Sequence, residues 1–143
     1  MDIKINGFDG PEIRGLYAFL KFYEDNNLKK LKEKDAIDNV PCLNKVKELI
    51  KGFSYKTKTK NEINSIDISS LDNEIYFTEH VSDLMGILYH LRNSIAHAKM
   101  EKDGETVKIT DYDNNRSNPL CTTKGTINFK TLKDIISVVQ ETQ

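Results

Sequence analysis

Thr78-Glu-His-Val-Ser-Asp-Leu-Met-Gly-Ile-Leu-Tyr-His-Leu-Arg-Asn-Ser-Ile-Ala-His-Ala-Lys-Met100 carries apolar residues at helical spacing and then gives way to a different period. Val81, Leu84, Met85, Leu88, Leu91 and Ile95 recur every three or four positions, the stripe of an amphipathic helix. Thr78 is a suitable N-cap, and Asp103-Gly104 is a stop, so the spacing predicts one long helix over about 78–100. Beyond it the period falls to 2. Val107 and Ile109 alternate with Lys108 and Thr110, and Thr126-Ile-Asn-Phe129 alternates likewise. Between them Asp111-Tyr-Asp-Asn-Asn-Arg-Ser-Asn-Pro119 is rich in turn formers, which predicts a β-hairpin over about 105–129. Thr131 with Asp134 three residues on resembles a capping box, opening a closing helix over about 131–141 that carries Leu132, Ile135, Ile136 and Val139.

Upstream, Gly10-Pro11-Glu12 supplies a first-turn proline and an acid beside the positive end of the helix dipole. Ile13, Leu16, Tyr17, Leu20 and Tyr23, widened by Phe19 and Phe22, predict a helix that ends near Asn26-Asn27. A lysine-rich connector follows, and Pro41 precedes a second amphipathic helix with Leu43, Val46, Leu49, Ile50 and Phe53. Ser54-Tyr-Lys-Thr-Lys-Thr-Lys-Asn61 reads as an exposed basic loop, and 62–76 as short helical turns or a packed loop. The expected fold is mainly α: a single domain over 1–143, with an antiparallel helical bundle over about 9–100, the hairpin, and the closing helix.

Composition narrows the function. The 143 residues are 38% hydrophobic, and 21 Lys+Arg against 22 Asp+Glu leave a net charge of −1. Such a chain does not coat nucleic acid or anionic lipid by bulk field alone. No apolar run approaches bilayer length, and the first residues lack the pattern of a secretory signal. Cys42 and Cys121 stand in no metal or redox spacing. A reduced cytoplasmic protein without membrane, metal or cofactor is expected.

At about 100° per residue, Gly86, His90, Asn93 and His97 share a strip of the long helix away from its apolar face, with Tyr89, Ala96 and Met100 between the two. Gly86 and Ala96 would let another backbone approach, which makes Gly86, Tyr89, Asn93 and Ala96 a candidate self-association surface. Histidine donates and accepts protons near neutrality, and arginine offers a permanently charged fork suited to phosphate. Together they suffice for cutting RNA without a metal, the imidazole moving a proton and the guanidinium steadying the phosphorane. Arg92 and His97 point about 140° apart in an ideal helix, so arginine's reach or a second copy of the helix must close the gap. His90 lies about 10.5 Å before His97 along the axis, too far for both to bind one metal. The blander readings are a helix C-terminal histidine steadied by the dipole and an arginine stem laid over the core.

The residues Arg92-Asn93-Ser94-Ile95-Ala96-His97 resemble the signature of the HEPN superfamily: an Arg, a polar residue, and a His after a short gap. A helical region before the motif and a hairpin and closing helix after it resemble a bacterial and plasmid-borne subgroup. The resemblance implies a metal-independent endoribonuclease acting as a homodimer with a composite cleft, serving as a toxin or anti-phage defence factor beside an antitoxin or defence-system partner. It implies that Arg92 and His97 form the catalytic pair and that Asn93 positions them. It also leaves open a non-catalytic RNA- or protein-binding or dimerisation module. Toxins silenced by a partner nucleotidyltransferase often carry a tyrosine two residues after the histidine. Here that residue is Lys99, so no such pairing is expected.

Other motifs carry less. Ser94 has no strained nucleophile turn around it, and no acid is placed to orient a histidine. Asp111-x-Asp113-x-Asn115 begins like a calcium loop, but Arg116 takes the glycine position. Between Cys42 and Lys60 six lysines oppose only Glu48. Lys56, Lys58 and Lys60 are therefore candidate RNA phosphate contacts, with Tyr55 available to stack a base and His90 flanking the cleft.

Overall fold

In the computed structural model, residues 4–80, 82–113 and 119–141 are described. Helix α1 (Gly10–Asp25) starts at a reciprocal cap: Asp9 accepts from the Glu12 amide and Glu12 accepts from the Asp9 amide, both at 2.9 Å. Its stripe buries Leu16, Phe19, Phe22 and Tyr23, while Tyr17 stays exposed. The lysine-rich connector holds a 3-10 turn and a short helix α2 (Glu33–Asn39), and α3 (Leu43–Leu49) follows Pro41.

The expectation of a mainly α bundle is wrong. The chain builds a five-stranded mixed sheet in the order β1-β2-β5-β4-β3, and the fold is α+β. Strand β1 (Ser54–Thr57) arises from the stretch read as an exposed loop. Lys56 alternates with Tyr55 and Thr57, and Tyr55 packs edge-on to Phe53 at 6.0 Å while the strand pairs in parallel with β2 (Glu74–Phe77). An exposed edge strand tolerates such lysines, which blunt edge-to-edge pairing. Between them α4 (Lys60–Asn64) starts at a capping box of Thr59 with Glu62. It covers the outer face of the sheet, burying Ile63 while Lys124 donates to its Asn64 carbonyl.

Helix α5 (Asp83–Ala96) is shorter than expected at both ends. Thr78 is not its cap, because its amide donates to the Thr122 carbonyl at 3.0 Å and keeps the chain extended beyond β2. The cap is Ser82, which accepts from the Met85 amide at 3.2 Å. Val81, expected on the apolar face, lies outside the described residues. At the far end Ala98 adopts φ +54°. The Ala98 amide donates to the Ile95 carbonyl at 3.1 Å and the Lys99 amide to that of Ser94 at 2.8 Å, the paired bonds of a Schellman stop. The chain then enters β3 (Met100–Asp103), and Asp103-Gly104 turns it into β4 (Thr106–Tyr112) instead of ending a helix.

The expected hairpin is present as β4 and β5 (Cys121–Asn128), antiparallel with Val107 opposite Ile127. It forms the middle of the sheet and not an appendage; of the stretch 111–119 expected to be its turn, residues 114–118 lie outside the described residues. The closing helix α6 (Phe129–Glu141) starts directly from β5, so Thr131 sits inside the first turn and is not the cap. Ile75, Phe77, Val107, Ile109 and Ile127 project from the inner face into the same core as Leu84, Leu88 and Leu91 of α5. Helix α5 lies against β2 and β4, with α1 packed on both α5 and α6.

Candidate active site

Everything at the site follows from how α5 ends. Arg92 and Asn93 lie within the last two turns, and His97 is the C-cap residue, its amide donating to the Asn93 carbonyl at 2.9 Å. The left-handed Ala98 then carries the backbone away, so the imidazole stands at the mouth of an open cleft of about 440 Å³. Arg92, Asn93 and His97 line this cleft together. Facing them are Asp111, Tyr112 and Asp113 at the end of β4, with Lys60 from the start of α4.

The charged groups divide into three pairs. Arg92 Nε donates to Glu24 Oε1 at 2.6 Å, and its Nη2 lies 2.6 Å from the same oxygen. Arg92 Nη1 donates to Asn93 Oδ1 at 2.9 Å, so the amide holds the guanidinium in place. Of the five N–H donors of a guanidinium, two have no partner among the described residues. Lys60 Nζ pairs with Asp113 Oδ2 at 2.7 Å. His97 Nδ1 lies 2.8 Å from Asp111 Oδ1. The acid is buried, at 3% exposure, while the imidazole is exposed and its Nε2 has no partner among the described residues.

No acid is placed beside either histidine in the sequence to orient it, and the sheet supplies one. Asp111 continues the inward series Val107, Ile109, Asp111 of β4, all buried on one face. The signal was the period-2 alternation itself, which runs two residues into a stretch rich in turn formers and read as a loop. Glu24, near the C-terminus of α1, was equally invisible, because only the packing of α1 on α5 brings it to Arg92.

His90 forms the buried wall. It is 4% exposed, 5.6 Å from the Phe77 ring and 5.2 Å from that of Tyr89, with Nε2 3.4 Å from Thr78 Oγ1. Burial, helped by the positive charge His80 would carry, pushes its pKa down to about 4, so it is neutral at physiological pH.

The basic candidates separate. Lys60 lines the cleft. Lys58 lies in an adjoining opening that shares Thr78 with it, its Nζ 5.3 Å above the Tyr76 ring and 3.9 Å from Glu62. Lys56 and Tyr55 border a different depression at the β1–β2 edge, and the Tyr55 ring is already engaged by Phe53. The self-association strip separates too. A Cβ on Gly86 would meet Phe77 Cε2 at 2.7 Å, so the close approach at Gly86 is filled from within the chain. Asn93 is buried and Tyr89 half-buried against His80, which leaves Ala96 exposed. Of the strip, Gly86 is covered by Phe77 of β2 and by His80, so its close approach is not open to a second copy.

Among the described residues no three His, Cys, Asp or Glu side chains stand together as a metal site, and no helix is long and apolar enough to cross a membrane. Neither the curated proteins nor the solved structures provide a match. A family model does: HEPN pEK499 p136 matches residues 13–142, from the first turn of α1 past the end of α6, and takes in every residue of the cleft. The chain belongs to the HEPN pEK499 p136 family.

Proposed function

We propose that this protein is a metal-independent HEPN-type endoribonuclease, acting in the cytoplasm as a toxin or anti-phage defence factor. The observation that carries the reading is the opening of Arg92, Asn93 and His97 onto one cleft, where the imidazole Nε2 and two N–H donors of the guanidinium have no partner among the described residues. Membership of a HEPN family supports an RNA-related or toxin role. In this reading the scissile phosphate sits on Arg92, which steadies the charge of the phosphorane. The neighbouring 2′-oxygen attacks phosphorus, the bond to the 5′-oxygen breaks, and His97 moves a proton at one of those two oxygens. The products are a cyclic 2′,3′-phosphate and a 5′-hydroxyl. Asn93 holds the guanidinium in position, and Lys60 and Lys58 extend the phosphate track from the cleft into the adjoining opening, with Lys56 and Tyr55 further along the β1 edge.

Two copies would bring their clefts together, so that a second His97 serves the other proton transfer. The homodimer contact must then use Ala96, Tyr89 and surfaces beyond the strip. The ion pair of Arg92 with Glu24 favours a second reading, because it gives the guanidinium a structural partner: a non-catalytic module that binds RNA or a partner protein such as an antitoxin.

One experiment decides between them. Purified protein is incubated with mixed cellular RNA in EDTA, beside Arg92→Ala and His97→Ala. The enzyme reading predicts cleavage by the parent and a loss of at least ~100-fold in each variant, the usual weight of a positioned acid or base. Equal RNA breakdown in all three, or none with intact RNA binding, rejects it.

A further inference from the structure

We propose that Asp111 is the positioning residue of this site. It accepts a hydrogen bond from His97 Nδ1–H, fixes which face of the imidazole looks into the cleft, and makes Nε2 the only ring nitrogen that exchanges a proton with substrate. The inference rests on the reading of His97 as the group that moves the proton.

Three observations converge. The first is placement. A buried carboxylate is costly unless a hydrogen-bonding partner satisfies it, and Asp111 stands at 3% exposure on a strand face otherwise given to Val107 and Ile109. The second is the allocation of partners. The two cations of the cleft already have carboxylates of their own, Arg92 with Glu24 and Lys60 with Asp113, so the partner of Asp111 across the cleft is the imidazole at 2.8 Å. The third is that His97 needs holding. Its backbone is fixed by the helix stop, but its side chain is exposed, and Asp111 makes its one hydrogen bond among the described residues.

The chemistry follows from the donor inventory. An ionised carboxylate only accepts, so the ring nitrogen facing it carries a hydrogen in the neutral imidazole as well as in the imidazolium. Neutral His97 is therefore the Nδ1–H tautomer, with its lone pair on Nε2. As a base it takes the 2′-hydroxyl proton there, and the imidazolium so formed returns that proton to water after the products leave. As an acid it begins protonated at Nε2, gives that proton to the departing 5′-oxygen, and is recharged by water. The Asp111 carboxylate stays ionised in both cases. The acid–base unit is thus split between the end of α5 and the end of β4, and the hairpin is part of the active site.

The test needs no substrate to begin. Ring-nitrogen NMR of the wild-type protein at a pH where His97 is neutral should show the Nδ1–H tautomer; an Nε2–H tautomer overturns the proposal. In Asp111→Asn the amide can donate as well as accept, and the tautomer should shift toward Nε2–H. RNA cleavage should then fall about 100-fold in kcat with KM little changed, while Asp111→Glu recovers a large part of the loss. A kcat within twofold of wild type in Asp111→Asn overturns the proposal, as does a loss confined to KM. If Asp111→Asn fails to fold, the wild-type tautomer still decides. If the protein cuts no RNA at all, the nuclease reading fails alone, because the tautomer stands or falls by itself.

Discussion

Arg92 meets Glu24 at 2.6 Å, and the carboxylate takes two of the donors that a phosphate would use. The acid is half exposed, at 53% for its side chain, so solvent screens the pair and its worth is at most about 1 kcal/mol. Glu24→Gln should therefore tighten binding of a single-stranded RNA oligonucleotide by about threefold to fivefold, read by fluorescence anisotropy in a His97→Ala background that cannot cut. Unchanged or weaker binding would show that Glu24 does not compete with phosphate. The helical part of the candidate site can be read from the sequence. Arg92, Asn93 and His97 are neighbours in sequence, and their side-chain chemistry does not depend on a distant element. Asp111 and Glu24 were not legible. Each reaches its partner only through tertiary packing, one from a strand fourteen residues on and the other from a helix 68 residues back.

Among the elements, α1, α3, α5, α6 and the β4–β5 hairpin could be read, because each carries enough periodic residues to declare its period. Strands β1, β2 and β3 could not. Each has four residues, too few for alternation to stand out, and β3 follows directly on a helical pattern that masks it. Three residues, His97, Ala98 and Lys99, separate α5 from β3, and the chain reverses at Ala98, whose φ is +54°. Left-handed backbone costs an alanine about 1 kcal/mol that glycine escapes. Ala98→Gly should accordingly stabilise the fold by about 1 kcal/mol, raising Tm by about 3 °C in a chain of this size, with cleavage unchanged. A drop in Tm would mean that the methyl group is held by packing that outweighs the strain.

For the whole molecule the buried histidine sets a pH limit. His90 titrates near 4 in the folded chain and near 6.5 when exposed. Its folded pKa is lowered, so between those values the unfolded chain binds more protons, and stability falls as pH falls. The contribution is fully present above about pH 6.5, is lost progressively toward pH 4, and is on the order of 3 kcal/mol in all. His80, also lowered by burial, acts in the same direction. Urea unfolding at pH 7 and pH 5 should show the loss, and an NMR titration should find His90 still neutral at pH 5. A midpoint for His90 near 6.5 would contradict this. The sheet that buries His90 also joins the two halves of the site. It faces Asp111 toward the end of α5, while the chain beyond β1 puts Lys58 in the adjoining opening and Lys60 in the cleft.

If Arg92 and His97 act together on one phosphate, the ends of the cleaved RNA record it. A defined oligonucleotide is cut in EDTA, its ends are identified, and the cut is repeated with a single 2′-deoxy substitution on the 5′ side of the scissile bond. Cyclic 2′,3′-phosphate and 5′-hydroxyl ends are expected, with no cutting at the substituted position and none anywhere by His97→Ala. Cleavage that survives the deoxy substitution, or that persists unchanged in His97→Ala, contradicts that joint action.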